Sequence, residues 1–423
     1  ALAGAAGGAV AAIMGLATQA LHVALYQLEP GIRLSGAIDI NPMQVLVVLV
    51  LGGLAVGYLN WLWKRLRQPD IVDPVEANAL FGGRMSLRGS LVFTLQATVS
   101  NGAGASVGLE GGFTQGGSAI ASWLGQVARL RRDDVRLLVA CGAGGAIAGA
   151  FDAPFAGAAY GFELILASYA PAVLPPLALA ALAGKYTAQI IAGHVYRISV
   201  DPSLLGGSPT WSLVLALGVA CGLLAIVLMR GVTLTETGMT RMRVPTILAP
   251  ALGGAAVALL AMLSPHVLSA GHGALELVVA GQTGATVLLA VFVLKLIASA
   301  ISIGSGFRGG LFSTSLFAGA LLGGGIGALL IGNGLVGPET LGVITLMAMC
   351  AFAAAVVGAP LAMVLLAMEI TGRIEFLPHA LLAIVAATVT ARALFGYSFS
   401  TWRLHVPTGS GSPQPACRRE HQE

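Results

Sequence analysis

The segment GLEGGF at residues 108–113 returns in altered form as GFRGGL at residues 306–311. Both copies follow the pattern Gly-x-charged-Gly-Gly-apolar, and each begins a long apolar run that reaches a matching glycine, Gly125 or Gly323. Similar segments at corresponding places in two halves of a chain are typical of duplicated membrane proteins. In such proteins, glycine-rich breaks in the membrane helices indicate where the substrate binds.

A second pair of segments repeats in the same order. The dipeptide Ala-Pro begins at position 153 and again at position 359, with Glu163 and Glu369 at identical spacing after it. Because the two carboxylates occupy equivalent positions of the repeat, we expect both to have a structural role.

The composition places the chain in a lipid bilayer. Hydrophobic residues make up 57% of the sequence, charged residues only 9%, and the mean hydropathy is +0.88. Too few polar side chains remain to cover the surface of a soluble domain. The 423 residues allow roughly ten crossings of about 20 residues each. We therefore predict an all-α integral membrane protein.

The basic residues cluster in three short segments between apolar runs, at residues 64–67, 129–136 and 230–243. Short basic loops are favoured on the cytoplasmic side of a membrane, so we expect all three there. The net charge of +4 therefore reflects loops, and no nucleic-acid partner is predicted. The four cysteines form no paired motif, so we predict no disulfide and no metal site.

Apolar runs that predict membrane helices occur throughout the chain. They are 1–28, 43–63, 137–150, 154–170, 172–192, 211–229, 245–263, 340–357, 361–370 and 376–395. Residues 68–113 have shorter runs interrupted by proline and glycine, which predicts broken helices whose free backbone groups face protein, water or an ion. We predict two inverted halves, residues 1–200 and 201–405, followed by a polar tail at 406–423.

Glu110 is an ionisable side chain inside a long apolar and glycine-rich region with no basic residue between Arg88 and Arg129. A glycine break that begins a helix inside the membrane offers free N–H groups and the positive end of the helix dipole, which suits an anion. A carboxylate there would occupy the position of the anion, and protonation would release it. We favour this gating role for Glu110 over the alternative of a simple capping carboxylate.

Several segments resemble the CLC family of chloride channels and proton-coupled chloride antiporters. Residues 104–112 (GASVGLEGG) resemble its GxEGP segment, residues 305–314 (SGFRGGLFST) its GGxFxP segment, and residues 359–371 its late helix. The order and spacing agree over nearly the whole chain. The resemblance implies a CLC-type inverted repeat with many tilted and broken helices, a homodimer with one anion path per subunit, and a place in a bacterial inner membrane.

Carried over by position, the resemblance assigns the gate and the backbone lining of the path. Glu110 matches the external gating glutamate of the family. The backbone amides that line the anion path match two triplets of this chain: Leu109, Glu110 and Gly111, and Leu311, Phe312 and Ser313. Phe312 is similar to the residue of chloride-specific relatives, so chloride is the expected ion, with membrane lipid around the protein and no cofactor.

Two departures from the family concern the polar lining of the path. The family's serine segment should fall between residues 67 and 79, where this chain has Asp70 and Asp73 and no serine beside them. An ionised aspartate beside the anion would repel it, so either the inner site is rebuilt or these side chains face the cytoplasm, which we favour. The family's pore tyrosine aligns without gaps to Ser400, with Tyr397 one helical turn earlier, and either hydroxyl can donate to an anion.

A third departure bears on protons. The internal glutamate of antiporter members aligns with Leu164, which cannot carry a proton. This favours a channel, or an exchanger of H⁺ for Cl⁻ that uses the neighbouring Glu163 or water, and both alternatives stay open. Arg308, the repeat counterpart of Glu110, either adds positive potential near the path or faces water.

Two other classes of protein compete with anion transport. Residues 104–108 match the GxSxG pattern of hydrolases, but no strand precedes them and no histidine has a distinguishing spacing, so we do not predict an enzyme. A secondary transporter for another ion or solute could use Lys185 and Lys295 as coupling charges. We expect both lysines to extend from helix ends toward water instead.

Overall fold

The computed structural model describes residues 1–29, 31–37, 40–168, 170–193, 206–272, 283–372 and 376–401, and these residues form fifteen α-helices. In chain order they are α1 Leu2–Tyr26, α2 Pro42–Arg65, α3 Pro74–Leu80, α4 Leu87–Gly102, α5 Glu110–Val127, α6 Arg132–Phe151, α7 Pro154–Tyr160, α8 Leu174–Ala192, α9 Trp211–Arg241, α10 Ala249–Leu263, α11 Ala285–Ser305, α12 Phe312–Gly332, α13 Leu341–Val357, α14 Pro360–Thr371 and α15 Leu377–Phe395. The boundary predicted at residue 200, Cys417 and the tail at 406–423 lie outside the described residues.

The helices divide into long and short ones. The run at 154–170 predicts one membrane helix, but α7 ends at Tyr160, and the long helix Ala285–Ser305 corresponds to none of the predicted runs. Eight helices of the described chain are long and apolar enough to cross a membrane, which confirms the prediction of an all-α integral membrane protein. In the interrupted region, α3 has only 7 residues, and α4 and α5 meet at a break just before Glu110. Helix α7 is equally short and continues into a π-helical turn, Gly161–Ile165. Helices α3 and α7, of 7 residues each, are too short to span a bilayer alone.

The two halves are joined by a reciprocal contact between α7 and α14. Glu163, just beyond the end of α7, accepts hydrogen bonds from the first backbone N–H groups of α14, and Glu369, near the end of α14, accepts them from the first N–H groups of α7. Each helix therefore has its end beside the start of the other, and the two run antiparallel. Equivalent helices of opposite direction are what an inverted repeat requires.

The core of each half is a helix packed on all sides by its neighbours. Helices α6 and α13 hold equivalent positions in the two halves. Of their apolar stretches, 72% is buried in α6 and 94% in residues 338–357, which contain α13. Close packing depends on glycine here: a Cβ added at Gly323 in α12 would lie 2.7 Å from the carbonyl oxygen of Ile344 in α13. Gly142 in α6 meets the backbone of Gly117 in α5 in the same way. These glycines lie inside helices and serve packing, as membrane helices commonly use them.

The basic segment at 230–243 is not the loop that hydropathy predicts. Helix α9 runs without interruption from Trp211 to Arg241, for 31 residues, and the chain turns only after it. The apolar run ends near residue 229, but a helix that leaves the membrane needs no apolar side chains to continue in water. Arginine is also a good helix former, so nothing in the sequence of this segment stops the helix.

Candidate anion pathway

The two repeated glycine segments contact each other directly. The Gly108 amide donates to the Gly310 carbonyl at 2.8 Å, and the Gly310 amide donates to the Gly108 carbonyl at 2.9 Å. The approach is so close that a Cβ at Gly309 would lie 2.6 Å from the Gly108 oxygen, which only glycine avoids. Because α5 begins at Glu110 and α12 at Phe312, this pairing brings two helix N-termini to one place.

Glu110 lies at that meeting point. Its side chain belongs to the first residue of α5 and is buried, with 3% exposed. One carboxylate oxygen, Oε1, accepts a hydrogen bond from the Ser313 hydroxyl in the first turn of α12. The other, Oε2, is buried and has no hydrogen-bond partner among the described residues. The gate predicted in the first repeat thus contacts the helix start of the second, and one of its oxygens remains available.

A cavity of about 450 Å³ extends from Glu110 to the edge of the protein. Glu110 and Gly111 form its inner part, while Lys64 at the end of α2 and Glu236 in α9 lie on its wall. The cavity therefore opens on the side of the basic segments at 64–67 and 230–243. By the positive-inside rule this is the cytoplasmic side.

The residues predicted to line the path take different positions around this cavity. Gly111, Leu311, Phe312 and Ser400 lie on its wall. Leu109 is the half-buried residue that precedes α5, and Ser313 is buried behind Glu110, away from the wall.

Of the two hydroxyl candidates near the end of the chain, Ser400 belongs to the described cavity wall and Tyr397 does not. The Tyr397 ring instead packs on Phe395, with 4.7 Å between ring centroids.

The two aspartates in place of the family serine differ from each other. Asp70 is exposed, as expected. Asp73 lies on the cavity wall, where its carboxylate caps α3 by accepting a 2.9 Å hydrogen bond from the amide of Glu76. Asp73 therefore lies beside the path, on the wall of the cavity that opens on the cytoplasmic side. Its position follows from its role as the N-cap of a helix whose start faces the cavity.

Tyr160 is a lining residue that the sequence does not reveal. It ends α7, its ring meets Phe312 edge-on at 6.2 Å, and its hydroxyl interacts with Thr114 one turn after Glu110. It belongs to the cavity wall together with Thr114. A single tyrosine in an apolar run carries no local signal, because its partners come from distant parts of the chain. Leu164, at the position of the internal glutamate, is buried.

The two lysines in apolar runs are bound inside the protein. Lys185 forms a 3.0 Å ion pair with Asp152. Lys295 is completely buried and donates to the carbonyl oxygens of Val267 at 3.0 Å and Ser269 at 2.8 Å. The expectation that both extend from helix ends toward water is wrong, most clearly for Lys295. Both ammonium groups are satisfied by partners that lie far away in the sequence.

Arg308 lies on the cavity wall and is half-buried. Its Nη2 donates to Asn60 at 3.3 Å, and its guanidinium lies over the ring of Phe93 at 5.7 Å. Of the two alternatives left open by the sequence, the position beside the path is the one observed.

Ser106, the serine of the GxSxG match, is fully buried. Its hydroxyl shares a 3.0 Å hydrogen bond with Ser299, and its amide donates to the hydroxyl of Ser302. A buried serine that joins a loop to α11 has the environment of a packing residue. It lacks the exposed position that an attacking nucleophile needs.

These features define a class of protein: an inverted-repeat membrane protein in which two broken helices meet, start to start, at a buried carboxylate. Comparison with known proteins gives the family. The voltage gated chloride channel family model matches residues 52–392, and the chain belongs to this family. The resemblance carried by the glycine segments is thereby confirmed.

Individual relatives agree with this assignment. The chain is 28% identical to the voltage-gated ClC-type chloride channel ClcB of Citrobacter koseri over 385 residues, which cover 89% of this chain and 91% of that protein. It is similar in structure to a slow cyanobacterial Cl⁻/H⁺ antiporter, with a TM-score of 0.80, 25% identity and 95% of both chains covered. A CLC-type fluoride/proton antiporter shares the fold, with a TM-score of 0.73, 20% identity, and 94% of this chain and 95% of that chain covered.

Proposed function

We propose that this protein transports chloride across the membrane along a path lined by the N-termini of α5 and α12 and gated by protonation of Glu110. The observation that carries the proposal is the pairing of Gly108 with Gly310, because it brings two helix starts and one carboxylate together at the end of a cavity.

Helix N-termini suit a chloride path because they attract an anion without holding it too firmly. Free N–H groups and the helix dipole supply partial positive charge, in contrast to the full charge of a lysine or arginine. An ion bound by such groups also leaves readily, as conduction requires. The contacts are made by the backbone, so the geometry of the glycine segments matters more than the side chains of Leu109, Leu311 or Phe312.

Glu110 acts as the gate by competing with the anion. When ionised, its carboxylate repels chloride and occupies the position between the two helix starts. When protonated, it is neutral and free to move away, so chloride enters. Acid is therefore expected to raise the chloride flux. A path that needs the ionised carboxylate would instead carry less chloride in acid.

Support comes from two kinds of comparison. The relative from Citrobacter koseri is described as a chloride channel, and the cyanobacterial neighbour as a Cl⁻/H⁺ antiporter. Both activities use an anion path, and a protonatable gate serves either one.

The test is chloride efflux from proteoliposomes after addition of a potassium ionophore, measured over a range of pH. Efflux that rises in acid is expected from the native protein, and Glu110→Gln is expected to remove the dependence on pH. A folded, correctly inserted preparation without anion permeability would rule out the proposal. Proton uptake driven by a chloride gradient alone then separates exchange from channel conduction, since uphill proton movement requires coupling.

We further propose a homodimer with one path per subunit in a bacterial inner membrane, surrounded by lipid and without a cofactor. The bacterial source of the relatives supports the membrane, and the dimer is what the resemblance to the CLC family implies. Chemical cross-linking in native membranes tests the oligomeric state, and a ladder that ends at the monomer would contradict it.

A further inference from the structure

The Ser313 hydroxyl has a second partner besides the gate. It lies 3.1 Å from Nε2 of His272, while it donates to Oε1 of Glu110. Three side chains from separate parts of the chain thus form one continuous hydrogen-bonded row. Ser313 is buried.

His272 reaches this row from the side opposite the cavity. Helix α10 begins beside the cavity, where Ala249 and Pro250 lie on the wall, and leads away to Leu263. The segment after it is held by His266, whose Nδ1 lies 2.9 Å from the carbonyl oxygen of Ser35, in the connection between α1 and α2. That connection is at the end of α2 opposite to its basic residues.

We propose that His272 is the group through which Glu110 exchanges protons with the side of the membrane opposite the cavity, with Ser313 as the bridge. The inference rests on the proposed gating role of Glu110 and deepens it. It adds a proton-transferring residue that neither the glycine segments nor the lining of the cavity indicates.

The hydrogen atoms of this row can be arranged in two ways while the heavy atoms of Glu110, Ser313 and His272 stay in place. With Glu110 ionised, Nε2–H of His272 donates to the Ser313 oxygen, and the Ser313 hydroxyl donates to Oε1. With Glu110 protonated, the carboxyl O–H donates to Ser313, whose hydroxyl donates to the bare Nε2. A proton passes when the imidazolium gives its Nε2 hydrogen to Ser313 while Ser313 gives its own to Oε1. The imidazolium and the carboxylate become neutral, and Ser313 is unchanged.

The groups around His272 favour the transfer of a proton through this side chain over a permanently charged imidazolium. Two cations, Arg33 and Lys295, lie within electrostatic range of His272, and Glu110 approaches it through Ser313. Lys295 is fixed by its two carbonyl partners. Burial first, and then these like charges, make a lasting imidazolium costly, so a proton received by His272 is passed on. The Phe151 ring, with its centroid 6.4 Å from that of His272, completes an apolar side of the pocket.

The test measures how fast chloride efflux responds to a jump in pH outside proteoliposomes. His272→Gln is the main variant, because the amide keeps a donor for Ser313 but cannot accept and release a proton. We expect its response to be slower by about a hundredfold, which is the low end of general acid–base contributions. In His272→Ala, external imidazole is expected to restore the response. His266→Gln, in the same connection but bound to Ser35, is the matched control and should respond like the native protein.

The outcomes separate the relay from the gate. A native rate of response in His272→Gln, or a flux lowered equally at every pH with an unchanged time course, would overturn the relay and leave the gate intact. If Glu110→Gln loses the pH response while His272→Gln responds at the native rate, the relay is likewise overturned and the gate stays intact. Absence of chloride flux in the native protein would instead refute the proposed function itself.

Discussion

Removing the carboxylates that cap α7 and α14 is expected to destabilise the protein without removing its response to protons. Glu369 accepts hydrogen bonds from the amides of Phe155 at 2.9 Å and Ala156 at 2.8 Å, and Glu163 accepts two of 3.1 Å from Leu361 and Ala362. Each carboxylate thereby satisfies two N–H groups that have no partner within their own helix. The perturbations are Glu163→Ala and Glu369→Ala, with the glutamine variants as milder forms.

The magnitude follows from the number of bonds and their burial. A hydrogen bond to a charged group contributes about 1.5–3 kcal/mol, and replacing a helix cap by alanine costs about 0.5–2 kcal/mol. Both carboxylates are half-buried, so water replaces part of what is lost. We therefore expect a loss of about 2–3 kcal/mol in the free energy of unfolding for Glu369→Ala, somewhat less for Glu163→Ala, and about 1 kcal/mol for each glutamine variant.

The assay is reversible unfolding in mixed micelles, followed by helical circular dichroism. Glu339, an exposed glutamate outside the helix pair, provides the control variant Glu339→Gln, which should leave stability unchanged. Because the two caps hold the same pair of helices, the double alanine variant should lose less than the sum of the single losses. Chloride flux in Glu163→Gln should keep its response to acid. A Glu163→Gln protein of native stability whose proton response is lost would refute the structural role and make Glu163 a proton carrier.

Three further predictions concern the path. Glu110→Gln should give chloride efflux that no longer rises in acid, because the amide cannot ionise; a retained rise would assign the pH response to another group. Gly309→Ala should lower stability by about 1–3 kcal/mol and reduce flux, because its Cβ would meet the Gly108 oxygen. Gly15→Ala has open space in α1 and should be neutral or stabilising in the same unfolding assay, and equal behaviour of the two variants would contradict the argument. Arg308→Gln should lower chloride flux roughly tenfold at low ionic strength and much less at high salt, and a salt-independent change would show that its charge does not act at a distance.

The transmembrane framework could be predicted because it depends on local composition. Runs of apolar residues at 43–63 and 376–395 correspond closely to Pro42–Arg65 and Leu377–Phe395. Burial in lipid requires such runs and permits few alternatives to a helix. The end of α9 could not be predicted in the same way, because hydropathy reports where a chain leaves the membrane and not where its helix stops.

The candidate site could likewise be predicted only in part. The glycine segments and Glu110 are visible in the sequence because an unusual residue in an apolar region is itself a signal. His272 and Tyr160 are not, since their partners lie far away along the chain and only folding brings them together. Lys295 is visible as a charge in an apolar run, but its carbonyl partners at Val267 and Ser269 are not. Asp73 shows the same limit: the sequence indicated a side chain that faces the cytoplasm, but only the fold shows that its place at a helix start puts it on the cavity wall.

The repeat gives the protein two equivalent helix starts. They differ in their charged residue, which is Glu110 in the first copy and Arg308 in the second. Glu110 in the first copy bonds to Ser313 in the second and, through it, approaches His272 away from the cavity. Arg308 in the second copy lies instead on the wall of the cavity, where a cation attracts anions from the cytoplasmic side. Two identical copies would present the same chemistry to both sides of the membrane. With the roles proposed for Glu110 and His272, protons reach this meeting point from the side opposite the cavity, while the Arg308 guanidinium attracts chloride from the side of the cavity. One ion can then control the passage of the other.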